Sequence, residues 1–157
     1  MLTLCQTPDM NAYGGVDLDT SLGYLLKQAS SALRSAMEAA LRPLGMSVTH
    51  YSCLELLAQR PGLSNSELAR GAFVTRQSMN VLLRALEKDG DVTRPAQAAV
   101  GKVLPAHLTP RGRRRLETAS VAVRGVELRM LRGLTPAMQS QASGILRTMV
   151  RSLSEED

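Results

Sequence analysis

Tryptophan is missing from this chain of 157 residues, and its aromatics amount to one phenylalanine and three tyrosines. A core made from it must therefore use Leu, Ala, Val and Met, which the 44% hydrophobic content supplies and which favours packed helices over a sheet sandwich. Cysteine is as scarce: Cys5 and Cys53 are too few and too far apart for a disulfide framework or a C-x-x-C metal site. The two histidines, His50 and His107, show no H-x-x-x-H or H-x-E spacing, and no G-x-S-x-G elbow occurs. These absences argue against an enzyme, a metal site and a bound cofactor. No apolar run approaches the roughly 20 residues of a membrane span. The first residues also lack the basic start and apolar core of a secretory signal. The expectation is a cytoplasmic protein with no membrane partner.

What is present is positive charge in one place. Formal net charge is +5. Between Arg76 and Arg115 lie nine basic residues and three acidic ones, so the excess resides in that segment. An asymmetry of this kind suits a polyanion such as double-stranded DNA.

The segment begins beside the most organised stretch of the chain. Ser64-Asn65-Ser66-Glu67 reads as a capping box, with Leu63 and Leu68 flanking it as a hydrophobic staple. Thr75 can cap a second helix, with Val74 and Met79 as its staple. Only Gly71-Ala72-Phe73-Val74 separates the two, so the spacing predicts helix, tight turn, helix. Met79, Leu82, Leu83 and Leu86 form an apolar stripe at helical spacing. Gln77, Asn80, Val81 and Arg84 share another face, and with Arg76 they offer amide and guanidinium groups of the kind that pair with adenine and guanine edges. From this segment alone, an amphipathic helix with a solvated polar face reads equally well.

Elsewhere the pattern is also helical. Residues 1–16 show no period and read as a loose arm. Asp17 or Asp19 can cap a long helix whose apolar positions run from Leu18 to Leu44, ended by Arg42-Pro43-Leu44-Gly45. Its length suggests packing against a second subunit, folding back on its own chain being the alternative. Ser47 caps a Leu-rich helix in which Cys53 reads as a small core residue. After Gly90, Val92-Thr93-Arg94 and Val103-Leu104, continuing to His107-Leu108, read as the strands of a hairpin that Pro95 and Pro105 keep short or irregular, since each removes a ladder donor and belongs at an edge. Thr109-Pro110 opens a helix that carries Arg111, Arg113, Arg114 and Arg115 in its first turns. Cations there oppose the helix dipole, which is understandable if phosphates lie nearby, though solvated surface arginines fit as well. Thr135-Pro136 opens a last helix.

In this order the chain resembles the MarR family of winged-helix transcription regulators over about residues 18 to 153. The resemblance rests on Ser47-x-x-His50 through Leu57, on Ser64 to Ala69 as an S-x-x-E-L-A step, on Leu82, Leu86, Glu87, Gly90 and Val92, and on Leu108-Thr109-Pro110-Arg111-Gly112. It implies a mainly α fold with a small β-hairpin wing, a winged helix-turn-helix in a six-helix dimer. Residues 17–46 with 110–153 would form the helical dimerisation region, and residues 47–109 the DNA-binding head. It also implies a homodimer that represses from a near-palindromic operator and is relieved by a small lipophilic or phenolic effector. The alternative is a dimeric interaction protein of the same fold with weak or lost DNA binding.

The DNA-contacting positions expected on this basis are Ser64, Thr75, Arg76, Gln77, Ser78, Asn80 and Arg84, joined by Arg94 and Lys102 in the wing and Arg113 beyond it. The family's wing commonly carries an Asp-Arg pair, and its places fall near Val100 and Gly101, so Arg94 and Lys102 are the cations left there. Effector candidates are Tyr24, His50, Tyr51 and Arg115. Peroxide-sensing relatives place a cysteine where Gly23 stands, which does not support that mechanism, and a redox role for Cys5 is a minor alternative.

Overall fold

The computed structural model describes residues 15–97, 101 and 104–154. Among these residues six α-helices and one hairpin follow in the order α1 (Leu22–Leu41), α2 (Val48–Gln59), α3 (Asn65–Gly71), α4 (Arg76–Lys88), β1 (Val92–Thr93), β2 (His107–Leu108), α5 (Pro110–Met130) and α6 (Pro136–Ser154), with a short 3-10 turn at Arg42–Leu44 after α1. This is the mainly helical winged arrangement that the sequence predicts.

Most helix starts are set by a side chain three residues before the amide it satisfies. Ser47 accepts from the His50 N–H, Thr75 from the Ser78 N–H and Thr109 from the Gly112 N–H, at 3.0–3.1 Å. Such caps meet donors that the first helical turn leaves unpaired. The exception to expectation is α1. Its cap is Ser21, which accepts from the Tyr24 N–H, whereas Asp17 closes the turn before it by accepting from the Asp19 N–H and the Thr20 hydroxyl. With cap-competent residues at Asp17, Asp19, Thr20 and Ser21, the last in line governs the helix and the first governs the turn.

One core joins α1, α2, the helix-turn-helix and α5. Leu41, Cys53, Leu54, Leu57, Leu68, Met79, Leu83, Leu86 and Ala119 are buried in it. Cys53 is a core residue as expected, and burial pushes the pKa of its thiol up to about 12, which makes it inert as a nucleophile.

The hairpin is shorter than the sequence suggests. Val92 pairs with Leu108 and Thr93 with His107, antiparallel, and Arg94 and Leu104 lie outside the ladder. Val103 falls outside the described residues. The chain just before β2 is used differently: the Gly62 N–H donates to the Ala106 carbonyl and the Ala106 N–H to the Leu63 carbonyl, both at 3.1 Å. These bonds tie the wing base to the loop that enters α3, leaving Pro105 where no ladder donor is needed.

Toward its ends the molecule is bare. α6 has no buried residue. Ile145, Leu146, Val150 and Leu153 on α6 are exposed, as are Leu22, Leu25 and Leu26 on α1. Among the described residues no helix is long and apolar enough to cross a membrane.

Candidate nucleic-acid interface

α3 and α4 form the unit that the caps predict. The Ser64 N–H donates to Glu67 Oε2 at 2.7 Å, while the Glu67 N–H donates to Ser64 Oγ at 3.3 Å, so both halves of the capping box are closed. Those bonds to the carboxylate hold Glu67 below its ordinary value. The start of α3 is then tied to the start of α4 by Asn65, whose side-chain N–H donates to the Arg76 carbonyl at 3.1 Å. The turn between them brings Phe73 into the left-handed region, at φ 56°, with its ring 95% exposed.

α4 divides sharply. Met79, Leu83 and Leu86 are buried, with Leu82 partly so. Thr75, Arg76, Gln77, Ser78, Val81 and Arg84 are exposed and Asn80 is half-buried. The polar face thus points outward in one piece, free of carboxylates along that length. An α-helix of this width fits the major groove of B-form DNA, where the face could present two guanidinium groups, two amides and one apolar side chain to base edges.

The arginines beyond α4 are sorted less simply than their sequence suggests. Arg94 was expected as a wing cation, but its side chain is only 13% exposed and donates to Glu87 at 2.6 Å. It braces the end of α4 against the start of the wing and is not an exposed charge. Lys102 lies outside the described residues. Within α5, Arg113 and Arg114 are exposed, whereas Arg111 and Arg115 turn to the Asp91 carboxylate. Arg111 Nε donates to Asp91 Oδ1 at 3.2 Å and Arg115 donates to Oδ2. Of four arginines read as one cluster, two are therefore held by an internal partner.

Asp91 is the residue that the sequence did not single out. It is fully buried. Its own N–H donates to the Leu86 carbonyl at the end of α4, and its carbonyl accepts from the Thr109 N–H at the start of α5. Thr109 Oγ1 also donates to the Gly90 carbonyl at 2.6 Å. His50 lies alongside, with Nε2 3.8 Å from Asp91 Oδ2 and without a hydrogen-bond partner among the described residues. Burial first, and the Arg115 charge second, hold His50 below its ordinary value, against the opposing pull of Asp91 and Asp89. An acid between Gly90 and Val92, at the junction of helix and strand, was the available signal, but nothing local identifies its distant partners.

Among the described residues the four effector candidates stand in separate places. Arg115 lines an open cleft of about 250 Å³ with Leu44, Met46, Arg111, Arg114 and Thr118. Tyr51 lines another with Glu55, Leu56 and Arg60, and its hydroxyl donates to Glu55 at 3.4 Å. His50 is buried beside Asp91, and Tyr24 stands exposed near the start of α1. The arginine-lined cleft has apolar walls at Leu44 and Met46 and three guanidinium groups along one side, a combination suited to a small ring bearing an anionic group.

Comparison with known proteins places this geometry. A model of the MarR family matches residues 44–102, which span the helix-turn-helix and the first strand of the wing. The HTH-type transcriptional repressor Rv2887 of Mycobacterium tuberculosis is 44% identical over 135 residues, covering 86% of this chain and 97% of that protein. The chain belongs to the MarR family. Two solved structures of the same mycobacterial MarR-family protein superpose on it. The one in complex with DNA has a TM-score of 0.70 at 44% identity, covering 83% of this chain and 98% of the other. The one in complex with salicylic acid has a TM-score of 0.69 at 45% identity, covering 83% and 97%. Fold, family and relatives together make this MarR-family chain a DNA-binding transcriptional regulator.

Proposed function

We propose that the protein represses transcription as a homodimer bound to a near-palindromic operator, and that a small aromatic carboxylate or phenol relieves it. The observation that carries this reading is the outward face of α4, where Arg76, Gln77, Asn80 and Arg84 form a groove-reading surface backed by a buried Met79–Leu83–Leu86 stripe. Ser64, Thr75 and Ser78 at the two helix starts, and Arg113 on α5, are placed to meet phosphates. Arg94, bound to Glu87, keeps the wing in position instead.

Residues 47–109 act as the DNA-binding head and residues 17–46 with 110–153 as the dimerisation region. The bare apolar sides of α1 and α6 support the second half of that division, since exposed patches of this kind are what a second copy would cover. The arginine-lined cleft beside α5 is the proposed effector site. Its small volume favours a single-ring ligand, and the relative crystallised with salicylic acid supports that class. The protein is read as a cytoplasmic regulator without catalytic activity.

The test is a gel shift on the DNA upstream of its own gene, repeated across salt and with salicylate. Specific binding with a steep negative dependence of log affinity on log salt, weakened by salicylate, is the expected result. Equal weak binding to all sequences would instead favour an interaction protein of the same fold, which the internal pairing of Arg94 makes a specific alternative.

A further inference from the structure

Arg115 has two neighbours that compete in kind. It lines the cleft, and it donates to the buried Asp91 carboxylate. Asp91 in turn is held at both ends of the DNA-reading unit, through its N–H to Leu86 of α4 and through its carbonyl to Thr109 of α5. A carboxylate entering the cleft would offer Arg115 the same charge and geometry that Asp91 offers it now.

We infer that Asp91 is an internal substitute for the effector: it occupies Arg115 when the cleft is empty, and an aromatic carboxylate in the cleft displaces it and so loosens α4 from α5. This rests on the cleft being the effector site, as proposed above. The displaced carboxylate has somewhere to go. Arg111 still donates to Oδ1, and His50 Nε2, buried and unpartnered at 3.8 Å from Oδ2, is placed to become a donor in place of Arg115 by taking a proton from solvent. The charged groups facing His50 are Arg115, Asp91 and Asp89. Withdrawal of Arg115 removes the one cation among them, so the exchange favours the protonated ring. Asp91 is thus a positioning residue for DNA binding, acting through Arg115, and it is a residue of α4's continuation and not of the cleft lining.

Asp91→Asn separates this from a merely structural role. With salicylate as the probe, calorimetry on the full-length variant should show binding about tenfold tighter than wild type, the change expected when one charge-assisted hydrogen bond no longer has to be given up. Salicylate should at the same time lose its effect on the variant's operator affinity. Unchanged or weaker salicylate binding in a folded Asp91→Asn protein overturns the inference. A second measurement needs no variant: in wild type, the His50 ring resonance should titrate at higher pH with salicylate bound, with His107 as the internal control. An unmoved His50 titration in salicylate-saturated protein also overturns it. Failure of wild type to bind salicylate at all would instead remove the effector reading on which the inference stands.

Discussion

Gly112 of α5 passes so close to Asp91 that a Cβ built on it would lie 2.0 Å from the Asp91 carbonyl oxygen. The first turn of α5 and the segment that follows α4 meet there backbone to backbone, which fixes the angle between α4 and α5. Gly112→Ala must push the two apart. We expect a loss of at least about 1–3 kcal/mol in urea unfolding, as for other overpacked sites, and a fall in operator affinity larger than the stability change explains. Wild-type stability would show that the junction gives way freely.

Two arginines that the sequence offers alike as DNA contacts should behave differently on DNA. Arg113→Ala removes an exposed cation of α5 and should lower the salt slope of operator binding by about 1. Arg94→Ala breaks the pair with Glu87 and should cost roughly 1 kcal/mol of stability while leaving the slope unchanged. Equal slopes for the two variants would contradict this division of roles.

Acid should weaken the fold through His50. The unfolded chain takes up a proton there as pH falls through about 6.5, while the folded chain does so only at lower pH because burial and Arg115 disfavour the charged ring. The unfolded state therefore binds more protons in that window, so stability is complete above it and declines as pH drops below 6.5. The urea midpoint measured from pH 7.5 to 5.5 should fall, and His50→Gln should flatten the curve. Glu67 contributes its own loss only below its ordinary value of 4.5, outside that range.

Local devices were the readable part of this molecule. Ser47, Ser64, Thr75 and Thr109 each act on an amide three residues away, so the sequence contains the whole interaction. The stripe of Met79, Leu83 and Leu86 was equally plain, because a helix converts spacing into a face. Where several cap-competent residues stood in a row, as from Asp17 to Ser21, the sequence could not choose among them. Ion pairs were hidden for a different reason. Asp91 meets arginines 20 and 24 residues later, across a hairpin, and Arg94 meets Glu87 from strand back to helix, with no period relating them. The basic cluster of α5 consequently looked uniform until its tertiary partners divided it.

Phe73 sits in a backbone conformation that costs an L-residue about 1–2 kcal/mol, and its exposed ring gains nothing from the core in return. Glycine escapes the steric cost but adds roughly 0.5–1 kcal/mol of unfolded-state entropy. Phe73→Gly should therefore stabilise the fold by about 0.5–1 kcal/mol, read as a higher urea midpoint. A lower midpoint would mean that the ring makes a stabilising contact in solution.

A charge on the bare side of α6 should test the assembly. Leu146 is exposed within the chain, so Leu146→Glu costs nothing in an isolated protomer and much in a buried interface. Sedimentation should show the wild type as a dimer and the variant as a monomer at micromolar concentration. A dimeric variant would place the interface elsewhere.

Because α6 buries none of its residues against its own chain, no tertiary packing within the chain helps its helical hydrogen bonds offset the entropy of keeping its 19 residues wound. If copies of the chain supply what is missing, the order of that helix is set by mass action. Dilution would then unravel the C-terminal segment before it melted the head. In a cell, the amount of operator-competent protein would rise more steeply than expression itself at low copy number. A gene under such control would respond to its regulator's dosage with a threshold, even without any cooperativity between neighbouring operators.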